Sequence, residues 1–192
     1  MGVHYFQAGD YRRAYREYLV AERIARELWG ELHPATNTMR VNLAYAAQNL
    51  GDHDASVRHA QVALDASRRA GIGPIREASL LQALGQARFF QGDLDGGAET
   101  LRQSLAIYER EVGRDAIETM GVLRSLIVVE AERGDPLRAL TIARRVAASV
   151  RASGDYSTPD GLSLQAALAG LRFATGERGE PLAALRTLVR RA

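Results

Sequence analysis

A glycine followed by an acidic residue recurs along this chain at an almost fixed distance, and nothing else in the sequence restricts the fold as tightly. The pair is Gly-Asp at Gly9, Gly51, Gly92 and Gly134 and Gly-Glu at Gly176, with spacings of 42, 41, 42 and 42 residues. Self-similarity at a period of this length marks an array whose units bury their apolar faces on one another. The residues before each turn show what the units are made of. The twelve residues ending in the last four glycines read RVNLAYAAQNLG, LQALGQARFFQG, LRSLIVVEAERG and QAALAGLRFATG. Leu43, Leu84, Leu126 and Leu168 fall in one column, with Ala44, Gly85, Ile127 and Ala169 beside them. Around that column runs an apolar stripe at helical spacing: Met39, Leu43, Ala46; Leu80, Leu84, Ala87; Val122, Leu126, Val129; Leu164, Leu168, Leu171. Aromatics make up only 6 % of the chain, and Ala, Leu and Arg dominate it, which favours helices over sheet. The fold class expected is all-α.

Each unit reads as two helices. The first, helix A, is predicted over Ala35 to Leu50, Ile75 to Gln91, Asp115 to Arg133 and Pro159 to Thr175. Glycine then supplies a positive backbone angle that ends the helix, and the acidic residue after it caps the next one. Helix B is predicted over Tyr11 to Trp29, His53 to Ala70, Leu94 to Val112, Pro136 to Ser153 and Glu180 to the end. This divides one helical-repeat domain, 1–192, into a partial unit 1–33 and units 34–73, 74–114, 115–157 and 158–192. The closing GEPLAALRTLVRRA echoes GDPLRALTIARRVA at seven of fourteen positions, so the chain ends within a helix B, and VHYFQA at its start matches only the tail of a helix A. The chain therefore reads as an excerpt from a longer array. Its cut ends leave apolar residues such as Phe6, Leu185 and Leu188 without their normal covering, which predicts self-association or fraying there.

Composition closes several function classes. All 25 cations are Arg, with no Lys and no Cys, so Schiff bases, thiol nucleophiles, disulfides and thiolate metal sites are barred. The 23 acids leave a net charge of only +2, a weak basic signal. No apolar run approaches the ~20 residues of a membrane span, and MGVHYFQAGD lacks a signal-peptide core, so no membrane partner and a cytoplasmic location are expected. His4, His33, His53 and His59 are too scattered to hold a metal, His33 belonging to the turn before Pro34. GDLDGGAET looks like a calcium loop but lacks the later ligands, and reads as a helix turn. Nothing resembles GxSxG or a phosphate loop, so neither enzyme chemistry nor a cofactor is expected. Arg-Arg pairs at Arg12, Arg68, Arg144 and Arg190 all start on B helices without alternating aromatics, a solvated face rather than a nucleic-acid surface.

GDYRRAYREYLVA and ELHPATNTMRVNLAYAAQNLGDHDASVRHAQVAL resemble the tetratricopeptide repeat, the second in the longer form found in kinesin light chains and many bacterial signalling proteins. Tyr5 matches the family's helix-A tyrosine, and Ala14 and Ala21 its helix-B alanines. Later units depart from the pattern, with Ala47, Arg88, Glu130 and Arg172 at the tyrosine position and Ser104 and Val146 at a small helix-B position. Arg88 and Glu130 occupy equivalent places in adjacent units and read as two solvated charges in preference to a pair. The resemblance implies a right-handed superhelical solenoid of antiparallel helix pairs whose A helices line a concave groove. The groove residues it points to are Asn42, Tyr45, Gln82, Gln86, Phe89, Arg124 and Phe173. Of these, Asn42 matches the long form's backbone-clamping asparagine, which is Ala83, Ser125 and Ala167 in later units. The function implied is a protein-interaction module holding a partner peptide or helix. The alternative is the sensory or docking arm of a larger bacterial signalling protein, a Ser/Thr kinase or a transcription regulator.

Overall fold

The computed structural model describes residues 2–153 and 159–177. Among them every regular element is a helix: α1 (Gly2–Gln7), α2 (Tyr11–Trp29), α3 (Pro34–Asn49), α4 (His53–Arg69), α5 (Pro74–Gln91), α6 (Leu94–Glu111), α7 (Ile117–Glu132), α8 (Pro136–Ser153) and α9 (Pro159–Ala174). The predicted boundaries hold to within two residues, and the helix B expected from Glu180 lies outside the described residues. The chain forms two compact units, Met1–Glu111 and Val112–Ala192. Within the first, each of α1 to α5 packs on the next, and α3 also packs on α5; within the second, α7 packs on α8 and α8 on α9.

One device builds all five turns. Gly9, Gly51, Gly92, Gly134 and Gly176 have φ between 79° and 99°, where a side chain would be strained. Each glycine N–H returns to the carbonyl three residues back, and the next N–H to the carbonyl five residues back, as in Gly51 to Gln48 and Asp52 to Ala47. These two bonds satisfy helix-end carbonyls that water would otherwise have to reach. The aspartate then caps the following helix: Asp10 accepts from the Arg13 N–H, Asp52 from Ala55, Asp93 from Gly96 and Asp135 from Arg138. Each such cap stabilises its helix by ~1 kcal/mol. The Gly-Asp repeat is thus a combined stop and start signal. At the turns that enter α3 and α7, Thr36 and Thr119 play equivalent parts, donating to the carbonyls of Gly30 and Gly113.

The leucine column is the core. Leu43, Leu84 and Leu126 are fully buried, as are Ala44, Gly85, Ile127 and Ala169 beside them, while Leu168 in α9 is half-buried. In the first unit Ala14, Tyr18, Leu43 and Ala46 form one cluster and Ala60, Ala63, Leu64, Leu80, Leu84 and their neighbours another. The tightest approach is between α5 and α6: a Cβ on Gly85 would lie 2.7 Å from Cγ of Leu101, and one on Gly97 would lie 3.1 Å from the Gly85 carbonyl oxygen. These two glycines let the backbones meet where any other residue would hold them apart.

Two expectations are corrected. Glu130 is not a solvated charge: its side chain is fully buried and its carboxylate takes a hydrogen bond from Arg133 at 2.8 Å. Arg88, its equivalent one unit earlier, donates to the Thr100 hydroxyl at 2.8 Å. Phe6 is not left bare either. It is half-buried, packed against the Ala14 and Tyr18 cluster and edge-on to Tyr11. Leu185 and Leu188 lie outside the described residues.

Candidate partner-binding face

The residues singled out from the sequence fall on two helices of each unit. In the first unit Asn42 and Tyr45 lie three apart on α3, and Gln82 and Gln86 lie four apart on α5 with Phe89 three further on, so each set shares one helix face. Because α3 packs directly on α5, these faces belong to neighbouring helices. All five side chains are half-buried rather than fully open. The faces are tied at one end, where Arg76 Nη2 of α5 donates to Thr38 Oγ1 of α3 at 3.2 Å. Burial raises the Tyr45 phenol above its ordinary value, and the nearby Tyr108 adds to the shift, so Tyr45 stays a neutral donor well above physiological pH. Val41, beside Asn42 on α3, is half-buried and packs against the core.

An aromatic patch ends the α5 stripe. Phe89 meets Phe90 edge to face with centroids 5.1 Å apart, and Phe90 stacks on His53 of α4 at 6.1 Å while remaining 47 % exposed. Gln91 Nε2 fixes the same corner by donating to Asp54 Oδ1 at 2.6 Å. Phe90 and His53 were missed in the sequence. The Phe-Phe doublet was the available signal, but helical spacing alone assigned only its first member to the face.

In the second unit Arg124 on α7 is exposed, and Val128, one turn further along the same face, is 50 % exposed. Phe173 on α9 is 46 % exposed. Here the face is open, where that of the first unit is half-closed. A separate cleft of about 680 Å³ in this unit is lined by Arg114, Asp115, Arg145, Ala148, Ser149 and Ala152. Arg145 Nη2 donates to the Arg114 carbonyl at 3.0 Å and the side chain is half-buried, so the second member of the Arg144-Arg145 pair serves the turn into α7 instead of the solvent face. The remaining described Arg-Arg members, Arg12, Arg13, Arg68, Arg69 and Arg144, are exposed. Among the described residues no helix is long and apolar enough to cross a membrane.

The histidines are used locally. His33 caps α3, its Nδ1 accepting from the Ala35 N–H. His59 Nε2 lies 3.0 Å from the Tyr15 hydroxyl, bridging α4 and α2. Burial, with Arg58 adding to it, holds the His59 imidazole below its ordinary value against the opposing pull of Glu22 and Asp52.

No protein-family model and no curated protein matches the sequence. Solved structures do match. A putative kinesin light chain of Podosopora anserina with nearly identical TPR-like repeats superposes with a TM-score of 0.84 at 18 % identity, covering 98 % of this chain and 90 % of that one. BtubC of P. vanneervenii gives 0.84 at 19 % identity over 98 % of this chain and 76 % of that one. The Rap conjugation gene regulator of plasmid pLS20, solved in complex with the Phr* peptide, gives 0.74 at 16 % identity over 100 % of this chain and 51 % of that one. The fold is therefore a helical-repeat solenoid of tetratricopeptide type.

Proposed function

We propose that the chain is a binding module that holds a segment of a partner protein against its A helices. The observation that carries this reading is the composition of the α3 and α5 faces. Amides at Asn42, Gln82 and Gln86 and rings at Tyr45 and Phe89 share two helices packed side by side. Side-chain amides both donate and accept, which suits the backbone of an extended peptide, and aromatic rings supply contact area at low entropic cost. The likeness in fold to a regulator solved with a bound peptide supports the same reading. In the second unit the exposed Arg124 suits a carboxylate, for which guanidinium is the better planar match, and Phe173 offers an apolar anchor. The segment recognised combines an acidic group with an apolar one.

The test is selection of a displayed random-peptide library on the purified chain, followed by titration of the enriched peptides. Enriched sequences should pair Asp or Glu with a large apolar residue. Arg124→Ala and Phe173→Ala, with helical content unchanged, should each weaken binding by about tenfold or more, as loss of an anchor does. Affinity unchanged by both substitutions would place recognition on another face.

A further inference from the structure

The first unit holds a cation at the edge of its own face that the fold does not require. Arg76 stands in the first turn of α5 and is half-buried. The first turn of a helix favours acids, because its free N–H groups carry partial positive charge. The repeat follows that preference elsewhere, since the residues equivalent to Arg76 are Ala35, Glu118 and Asp160. A guanidinium in this column opposes the helix dipole, and among the described residues no carboxylate offsets it. The adjacent Glu77 is taken by Arg68 at 2.9 Å. Arg76 itself makes one hydrogen bond among the described residues, from Nη2 to Thr38 Oγ1 at 3.2 Å. Thr38 gives its own proton to the Pro34 carbonyl at 3.0 Å, so its oxygen is a fixed acceptor. That bond draws the guanidinium from α5 onto the α3 side of the face and uses only one of its N–H donors.

We propose that Arg76 binds a carboxylate side chain of the held segment, an acidic subsite of the first unit separate from that at Arg124. This rests on the reading that the A helices hold a partner segment, and adds where its acid lies relative to its apolar residue. Guanidinium meets carboxylate in two parallel hydrogen bonds, and half-burial lessens the competition from water. The far end of the face fixes the orientation. Asp54 lies there, at the corner where Gln91 donates to it and Phe90 stacks on His53, and it repels an acid. Thr38 marks the level of the guanidinium, and its equivalent on α5 is Ser79, ten residues or about 15 Å from Phe89. An extended chain covers that length in about five residues. The segment therefore carries an acid about five positions from a large apolar residue, with the acid on Arg76 and the apolar side chain on Phe89.

Selection from displayed peptide libraries on the whole chain tests this. Each library fixes one Glu and one Leu two, five or eight positions apart, in both orders and flanked on both sides, and excludes Asp and any further Glu. The five-position library should enrich most strongly, both on the parent and on Arg124→Ala. Its enriched peptides should bind Arg76→Gln, checked for unchanged helical content, about tenfold more weakly. The same peptides with Glu replaced by Gln should lose as much on the parent and nothing further on Arg76→Gln, a coupling that a merely structural role for Arg76 would not produce. Peptides that bind Arg76→Gln as tightly as the parent would overturn the proposal. If Phe89→Ala weakened those same peptides, the face would stand and the acidic subsite alone would fall; if it did not, the reading of the face would fall too. Equal enrichment at all three spacings, or none at any, would also overturn the proposal.

Discussion

Replacing Gly85 by alanine sets two effects of opposite sign against each other inside one helix. Glycine in the middle of a helix costs about 1 kcal/mol relative to alanine, so the substitution gains that much from the backbone alone. The added methyl, however, would sit 2.7 Å from Cγ of Leu101 and 3.2 Å from the Gly97 carbonyl oxygen. Carbon atoms pack best at roughly 3.5 to 4.0 Å, so the methyl is about 1 Å too close to its first neighbour. Leu101 is fully buried and Gly97 contributes backbone, so neither can simply swing away. Overpacking of this kind costs about 1 to 3 kcal/mol. The net change is a loss of up to about 2 kcal/mol. Gly170 supplies the internal control, since it also lies within a helix but a Cβ there meets nothing within 4 Å. Gly170→Ala should keep the whole gain of about 1 kcal/mol. The propensity term cancels between the two variants, so the difference in their stabilities, about 1 to 3 kcal/mol, isolates the cost of prising α5 from α6. Thermal unfolding followed by circular dichroism should show Gly170→Ala melting above the parent and Gly85→Ala below it, a spread of several degrees at about 2 to 4 °C per kcal/mol. If both variants gained equally, the helices would not approach as closely as the Gly85 and Gly97 contacts require.

Other perturbations read different parts of the same scaffold. Leu84→Ala and Leu126→Ala, both in the buried column, should each cost about 2 to 5 kcal/mol, whereas Arg144→Ala, which loses only an exposed contact to Glu177, should change the melting midpoint hardly at all. Asp52→Ala removes the acceptor for the Ala55 N–H and should cost about 1 kcal/mol, with Asp52→Asn recovering most of it in the same melts. Because His59 titrates below its unfolded value, the unfolded chain binds a proton first as pH falls. Its contribution is intact above the ordinary histidine value and is lost as pH falls through that value towards the folded one, so urea midpoints should drop more steeply across that window for the parent than for His59→Gln.

Where the sequence was legible, one physical requirement acted on every copy of the unit. Gly51, Gly92 and Gly134 recur because each turn needs a positive φ, and Asp52, Asp93 and Asp135 follow because the next helix needs an acceptor at its first N–H groups. Leu43, Leu84 and Leu126 recur because each occupies the same buried slot. Repetition turned weak local preferences into a reading of helix boundaries good to two residues. Glu130 shows the opposite case. Its column holds Ala47, Arg88 and Arg172 in the other units, so the alignment pointed to tolerance of charge at a solvated site, while the structure buries Glu130 and supplies Arg133, three residues on at the cap that ends α7. A buried charge is stable only with such a partner. That partner sits at i+3, a spacing common on exposed helices as well, so the pair left no distinct mark.

The binding face is harder to read for a reason built into repeat folds. Positions that pack are constrained in every unit and form columns. Positions that would meet a partner are constrained by that partner alone and are free to differ from one unit to the next, and the proposed face does so at Asn42, Ala83, Ser125 and Ala167. Periodicity therefore identifies such a face by subtraction, as what remains once the core stripe is assigned, and it gains no reinforcement from copy to copy. Subtraction errs wherever packing departs from the ideal wheel. It passed over Phe90, which the wheel turns away from Phe89 but which stacks on His53 and stays half exposed. The same logic applies to Ile24 of α2, which is 49 % exposed. Ile24 stands in a column that is covered elsewhere, so its exposure is a departure that only the repeat makes visible. In an array of near-identical units, the informative residues are those whose burial differs from that of their equivalents.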